Sequence, residues 1–349
     1  LTGMVYGGRY DFSFLVAFFA LYHGRGFLRE PVAYYLRLFL ISGGIMLIIS
    51  ILLKWPFSED LLRYVGYSGN PSNWQFWGPP TIFHGVDGAN VRRFQGLLDG
   101  PNTMGAYIIL YMGILAYYFR NHKAWYFVIG CVLLFLSIFL FYTYSRSAIL
   151  WLILWVGTII LFLLPKINRD FMSVILRKYK VQLITTSLIV IAMIGGVFFQ
   201  YAGNIGTLVV RGGSTNGHME RMQAGIERFL EKPFWHGLWS AGPAYRYVEN
   251  LAGKSREEIE TLDKKSIPES WYIQQLVESG FLWLLSFLLI MGSILFGLFR
   301  RYIVIFGAFL AILVMNFFLH TFESAHIALS LFLLLGLFLS PVNRTHESK

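Results

Sequence analysis

The chain has 349 residues, 56% hydrophobic and 14% charged, with a mean hydropathy of +0.56. Soluble domains carry about 25% charged residues, so the composition excludes an ordinary water-soluble fold and points to a polytopic membrane protein. The single Cys131 lies inside an apolar run, which excludes a disulfide framework and a thiolate metal site.

Apolar runs near 20 residues read as spanning helices. In chain order they fall at about 10–22, 34–53, 104–119, 125–142, 147–164, 181–200, 275–298, 302–319 and 325–340. This predicts an all-α polytopic bundle of about nine transmembrane helices. Three parts follow: N-terminal spans over 1–200 with an outer loop at 54–103, a large loop over 201–274, and C-terminal spans with a tail over 275–349. The sequence runs from Leu1 straight into apolar residues without a signal peptide, and further spans are expected to precede it.

The distribution of charge decides what the net +10 means. The short connectors 23–33, 120–124, 165–180 and 299–301, the tail 341–349 and Arg37 hold 14 Lys/Arg against 3 Asp/Glu. The long loops 54–103 and 201–270 hold 13 of each. The positive-inside rule therefore puts the connectors in the cytoplasm and both long loops on the other face. Topology thus accounts for the excess charge, and a nucleic-acid partner is not expected.

Within the large loop, Met219, Met222, Ile226, Phe229 and Leu230 recur at helical spacing, with Arg221, Gly225, Arg228 and Lys232 opposite. That pattern predicts an amphipathic helix stopped by Pro233, lying on the membrane surface over the bundle. The charged stretch 251–266 reads as a solvated lobe. The Trp and Tyr residues of 54–83 read first as an interfacial belt and second as a sugar-stacking surface.

Between Lys123 and Lys166 the only charge is Arg146, in the short turn between two long apolar runs. Ionisable groups at that depth are costly and usually functional. Arg92, Arg93, Arg146, Arg211, Arg221, Glu269, His320, Glu323 and His326 all fall on the same outer face. Phosphate-loop, HExxH and GxSxG patterns are missing, as is an Asp-rich cluster of the kind that holds Mg²⁺ beside a lipid phosphate. Neither a cofactor nor a metal is expected. Arginines fixed near a membrane surface suit a phosphate or pyrophosphate, whose oxygens the guanidinium fork binds bidentately at any relevant pH.

Four motifs stand in order. They are Arg93-Phe94-Gln95-Gly96 with Gly100-Pro101-Asn102, the turn Ser145-Arg146-Ser147-Ala148, Arg221 followed by Pro233-Phe234-Trp235-His236-Gly237, and Ser270-Trp271 leading to Glu278-Ser279-Gly280. Over roughly 90–340 the chain resembles the O-antigen ligase and polymerase superfamily. The resemblance implies a GT-C-like membrane glycosyltransferase of the bacterial inner membrane, with a large periplasmic loop and a periplasm-facing site. Its donor would be an undecaprenyl-pyrophosphate-linked oligosaccharide and its acceptor a glycan or lipid. The family's pyrophosphate-binding arginines fall on Arg146 and Arg221, with Arg93 and Arg211 as further substrate-binding groups. A chain-length regulator is admitted as a partner beside the membrane lipids.

One departure stands out. Ligases of the family carry a histidine that activates the acceptor hydroxyl, whereas the aligned stretch here is Pro268-Glu269-Ser270-Trp271. Glu269 is then the first candidate for general base and His320 the second. The missing histidine favours a polymerase over a ligase. A flippase for lipid-linked sugar is the reading of another class, and the clustering of charge at one face disfavours it.

Overall fold

A computed structural model describes residues 2–24, 27–28, 30–54, 58–64, 66–68, 83–86, 89–122, 125–163, 212–234, 236–238, 240–242, 245, 258 and 267–340. The described chain is mostly helical. It comprises α1 (Thr2–Gly24), α2 (Val32–Leu52), α3 (Ser58–Tyr64), a hairpin of β1 (Gly85–Val86) and β2 (Ala89–Arg92), α4 (Pro101–Tyr118), α5 (Tyr126–Tyr142) and α6 (Arg146–Leu163). There follow α7 (Gly212–Glu231), α8 (Trp271–Arg301), α9 (Ile303–Met315), a 3₁₀ turn (Thr321–Glu323) and α10 (Ala325–Leu339).

Helix α4 is the axis of the bundle. Pro101 presets its first turn, where a missing N–H costs nothing. A helix apolar all round belongs in the interior, and α4 is buried almost continuously from Met104 to Leu115. It contacts α2, α5, α6, α9 and α10. Small residues let these neighbours approach: a Cβ on Gly105 would stand 2.7 Å from that of Ala148 on α6, and one on Gly113 2.7 Å from that of Ala308 on α9. Tyr111 of α4 donates its hydroxyl to the Leu40 carbonyl of α2 at 3.0 Å. On the other side, α1 lies along α10, and Phe14, Trp271, Phe287, Phe322 and Phe332 form one aromatic cluster.

The outside of the bundle is as apolar as its inside. Ile41, Ile45, Ile48 and Leu52 of α2 are exposed, as are Leu282, Leu285, Leu289 and Phe296 of α8. Such a surface requires lipid rather than water as its solvent. Val32–Leu52 and Trp271–Arg301 are long and apolar enough to cross a bilayer, while Ser13–Gly24, Tyr126–Tyr142, Arg146–Thr158, Ile303–Met315 and Ala325–Leu339 are shorter apolar helices.

Eight of the nine expected spans coincide with a helix, although α1 begins well ahead of the expected 10–22. The ninth, 181–200, lies outside the described residues, as do Arg211 and all of 251–266 except Glu258. The loop 54–103 carries α3 and the hairpin, elements too short to announce themselves by periodicity. Helix α8 is broken at Gly280 (φ 79°, ψ 175°), which separates a short first segment, 271–279, from the apolar stretch 281–301.

Candidate functional site

The Arg146 turn is built from three local devices. Tyr144 adopts φ 51° and reverses the chain after α5. Thr143 Oγ1 donates to the Leu140 carbonyl at 2.7 Å and accepts from Ser145 N at 3.2 Å. Ser145 then caps α6, its Oγ accepting from Ala148 N at 3.3 Å. Arg146 is therefore the first residue of α6, held at the end of a rigid element.

Arg93 clamps this turn from the hairpin side. Its Nε donates to the Thr143 carbonyl at 2.8 Å, and its Nη2 to Asn102 Oδ1 at 3.0 Å and the Tyr144 carbonyl at 3.5 Å. A cation at the C-terminal carbonyls of α5 is favourably placed, and Asn102 ties it to the first turn of α4. Gly96 (φ 57°) lets the preceding chain pass Ser50, since a Cβ there would stand 2.2 Å from that side chain.

Above the turn lies a cavity of about 370 Å³. Its polar wall consists of Arg93, Asn102, Ser145, Arg146, Ser147 and His218, with Tyr144 among them. Leu150, Met219, Met222, Phe318 and Leu319 make the apolar wall. The N-termini of α4 and α6 both open on this space. Helix N-termini carry partial positive charge, so dipoles and guanidinium groups act together here, and the described lining holds no carboxylate.

Helix α7 closes the cavity. At Gly225 it presses on the following segment so closely that a Cβ would stand 2.7 Å from Ile273 Cγ2 and 2.9 Å from Pro268 Cβ. This contact turns His218, Arg221 and Met222 inward, while Met219, Ile226 and Leu230 are exposed. The amphipathic helix expected from the sequence is present, with its Arg221–Gly225 side packed on the protein; of its apolar stripe, Met219 and Met222 line the cavity while Ile226 and Leu230 are exposed.

Glu269 receives the inward face of α7. Arg221 Nη1 donates to its Oε1 at 2.6 Å, and His218 Nδ1 stands 3.3 Å from its Oε2. Burial by itself would raise the Glu269 pKa, but the hydrogen bond and charge of His218, then the charges of His320 and Arg221, outweigh it and hold the carboxyl at about 2. Asn316 fixes the carboxylate's place in the chain: its carbonyl accepts from Trp271 N at 3.0 Å and Ser270 Oγ at 3.4 Å. Its side chain accepts from Phe322 N at 3.1 Å, which anchors the 3₁₀ turn that follows His320.

The remaining motif residues are structural. Glu278 Oε1 accepts from Ala241 N at 3.1 Å, and His236 N donates to the Val277 carbonyl at 3.2 Å. Gly280 makes room for the Phe234 carbonyl, which would stand 1.8 Å from any Cβ there. Together they dock the described part of 233–242 on the first segment of α8. Arg92 donates to the Leu53 carbonyl at 3.5 Å and lies over the Phe83 ring.

Of the residues expected from sequence, the cavity brings together Arg93 and Arg146. Arg221 and Glu269 form the adjoining ion pair, and His320 acts on Glu269 through its charge. Arg221 is not among the described lining residues. Sequence reading missed His218, although its spacing of three from Arg221 on a helix places both on one face.

A search among curated proteins and one among solved structures gave no match. A family model described as O-antigen ligase matches residues 129–288, a stretch that runs from α5 through the Arg146 turn, α7 and Glu269 into α8. That match spans 160 of the 349 residues and supports the likeness to the O-antigen ligase and polymerase superfamily.

Proposed function

We propose that the protein transfers a glycan from a lipid-linked pyrophosphate donor at the outer leaflet of the bacterial inner membrane, and that its reaction is polymerisation of a surface polysaccharide such as O-antigen. The observation that carries this is the cavity at the Arg146 turn, where Arg93, Arg146 and two helix N-termini converge without a carboxylate in the described lining. In this reading the protein crosses the membrane nine times within the given sequence, and the cavity faces the periplasm. An undecaprenyl chain would lie along the apolar exterior beneath α7.

The chemistry follows from the charges. Arg146, with Arg221 beside it, holds the donor pyrophosphate, and Arg93 and Arg211 support a lipid phosphate. The acceptor hydroxyl attacks the anomeric carbon as the bond to pyrophosphate breaks, with inversion at that carbon. Guanidinium groups neutralise the charge on the leaving oxygen, which makes the transfer metal-independent. Proton acceptance belongs to the cluster around Glu269, with Glu269 and His320 as the groups the sequence nominates.

The family description favours a second reading, in which the acceptor is the lipid A core or a protein and the enzyme is a ligase. The missing histidine before Ser270 favours the polymerase. Purified protein in liposomes with a lipid-linked repeat unit separates the readings: longer lipid-linked chains mean polymerase, transfer to added lipid A core means ligase, and relocation without new glycosidic bonds means transport. Arg146→Lys keeps the charge and loses the fork. Both it and Arg146→Ala should abolish long chains on a gel, and full-length chains from both would refute the pyrophosphate role.

A further inference from the structure

We propose that His218 takes the proton from the acceptor hydroxyl, oriented by Glu269, in place of the histidine that the ligases keep before the helix. The proposal rests on the glycosyl-transfer reading and names the base that reading leaves open. Its first ground is location. Among the cavity's described lining residues, His218 is the one nitrogen base, because arginine stays protonated at any working pH. Its side chain is 36% exposed, so an acceptor hydroxyl reaches it without the bundle opening.

The second ground is geometry. His218 Nδ1 faces Glu269 Oε2 at 3.3 Å. A carboxylate there accepts Nδ1–H, fixes the tautomer and leaves the lone pair on Nε2, the arrangement a hydroxyl donor requires. The same carboxylate then stabilises the imidazolium formed when the proton arrives. Glu269 itself is poorly suited to take that proton, since one oxygen accepts from Arg221 and the other faces His218. His320 is not among the described lining residues. The step balances as follows. The acceptor O–H proton passes to His218 Nε2, and the acceptor oxygen bonds to the anomeric carbon. The carbon–oxygen bond to pyrophosphate breaks with its electron pair on the departing lipid pyrophosphate, and His218 later releases the proton to water.

The test uses full-length protein in liposomes, supplied with polyprenyl-pyrophosphate-linked oligosaccharide extracted from membranes of the producing cells. Donor binding is followed with a fluorescent polyprenyl pyrophosphate. His218→Gln should lower the transfer rate by about 10²-fold or more with probe affinity unchanged within about twofold. Added imidazole should restore part of the transfer by His218→Ala, which a purely structural role would not allow. The inference is overturned if His218→Gln keeps more than about a tenth of the rate, if the loss lies in probe binding, or if imidazole restores nothing. A wild-type protein that forms no glycosidic bond would instead retire the transfer reading itself. Active wild type, inactive Arg146→Ala and active His218→Gln would retire this inference alone.

Discussion

Replacing Glu269 by glutamine tests the ion-pair cluster from which the site is built. The carboxyl ionises at about 2 in the folded protein, against an ordinary value of 4.5. Because its folded value is depressed, its contribution to stability is complete above the ordinary value and is lost as pH falls toward 2. At roughly 1.4 kcal/mol per pH step, the contribution is about 3 kcal/mol at neutral pH, of which about 2 kcal/mol is gone by pH 3. Thermal unfolding in detergent at pH 7, 5, 4 and 3 measures this directly. Wild type should lose its midpoint more steeply with acid than Glu269→Gln, while Glu231→Gln, at an exposed position at the end of α7, should follow wild type. Combining Glu269→Gln with Arg221→Ala should cost less than the two single changes added, because both remove one contact. Parallel acid profiles for wild type and Glu269→Gln would refute the pairing.

Three further changes probe how the site is held. Arg93→Ala removes the donors to Thr143, Tyr144 and Asn102 and should cost about 2–4 kcal/mol in thermal unfolding, with Arg93→Lys recovering only part. Gly225→Leu should push α7 away from Pro268 and Ile273, cutting transfer activity severely while lowering bundle stability by only about 1–3 kcal/mol. Gly280→Ala adds a side chain at a φ,ψ that only glycine adopts comfortably, a cost of about 1–3 kcal/mol, and should raise hydrogen exchange and protease cleavage around 233–242.

The long helices were legible because an apolar run marks a buried or lipid-facing helix whatever the tertiary arrangement, and α4, α5, α6 and α10 fall within a few residues of the runs that announced them. Arg146 was legible for the same reason, as a single charge between two such runs. The face of α7 was harder to read. An amphipathic pattern in water buries its apolar stripe, yet here Ile226 and Leu230 are exposed while the Arg221–Gly225 side is packed. Gly225 decides this, because only a glycine side permits the approach to Pro268 and Ile273. His218 went unnoticed because its partner Glu269 lies 51 positions away, and only the fold brings the two within 3.3 Å. The role of Arg93 was equally hidden. Its sequence signal is that of an anion-binding group, and its bonds to the Thr143 and Tyr144 carbonyls exist only once α5 has ended beside the hairpin.

The placement of charge makes the two central arginines unequal. Arg146 stands at the mouth of a helix dipole, so an anion entering the cavity meets the partial positive charge of the α6 N-terminus together with the guanidinium. Arg221 gives Nη1 to Glu269 at 2.6 Å, and a phosphate oxygen approaching it also approaches that carboxylate. The pair Arg221–Glu269 is therefore close to neutral and polarised, and it favours an anion only through the fork's remaining donors. Such a group discriminates by geometry more than by charge: it strengthens when oxygens arrive in the plane of the guanidinium and contributes little otherwise. An anion held first by Arg146 and met in plane by Arg221 only as the pyrophosphate departs would draw the larger gain in the transition state. That is the condition under which binding energy accelerates a reaction rather than merely retaining its substrate.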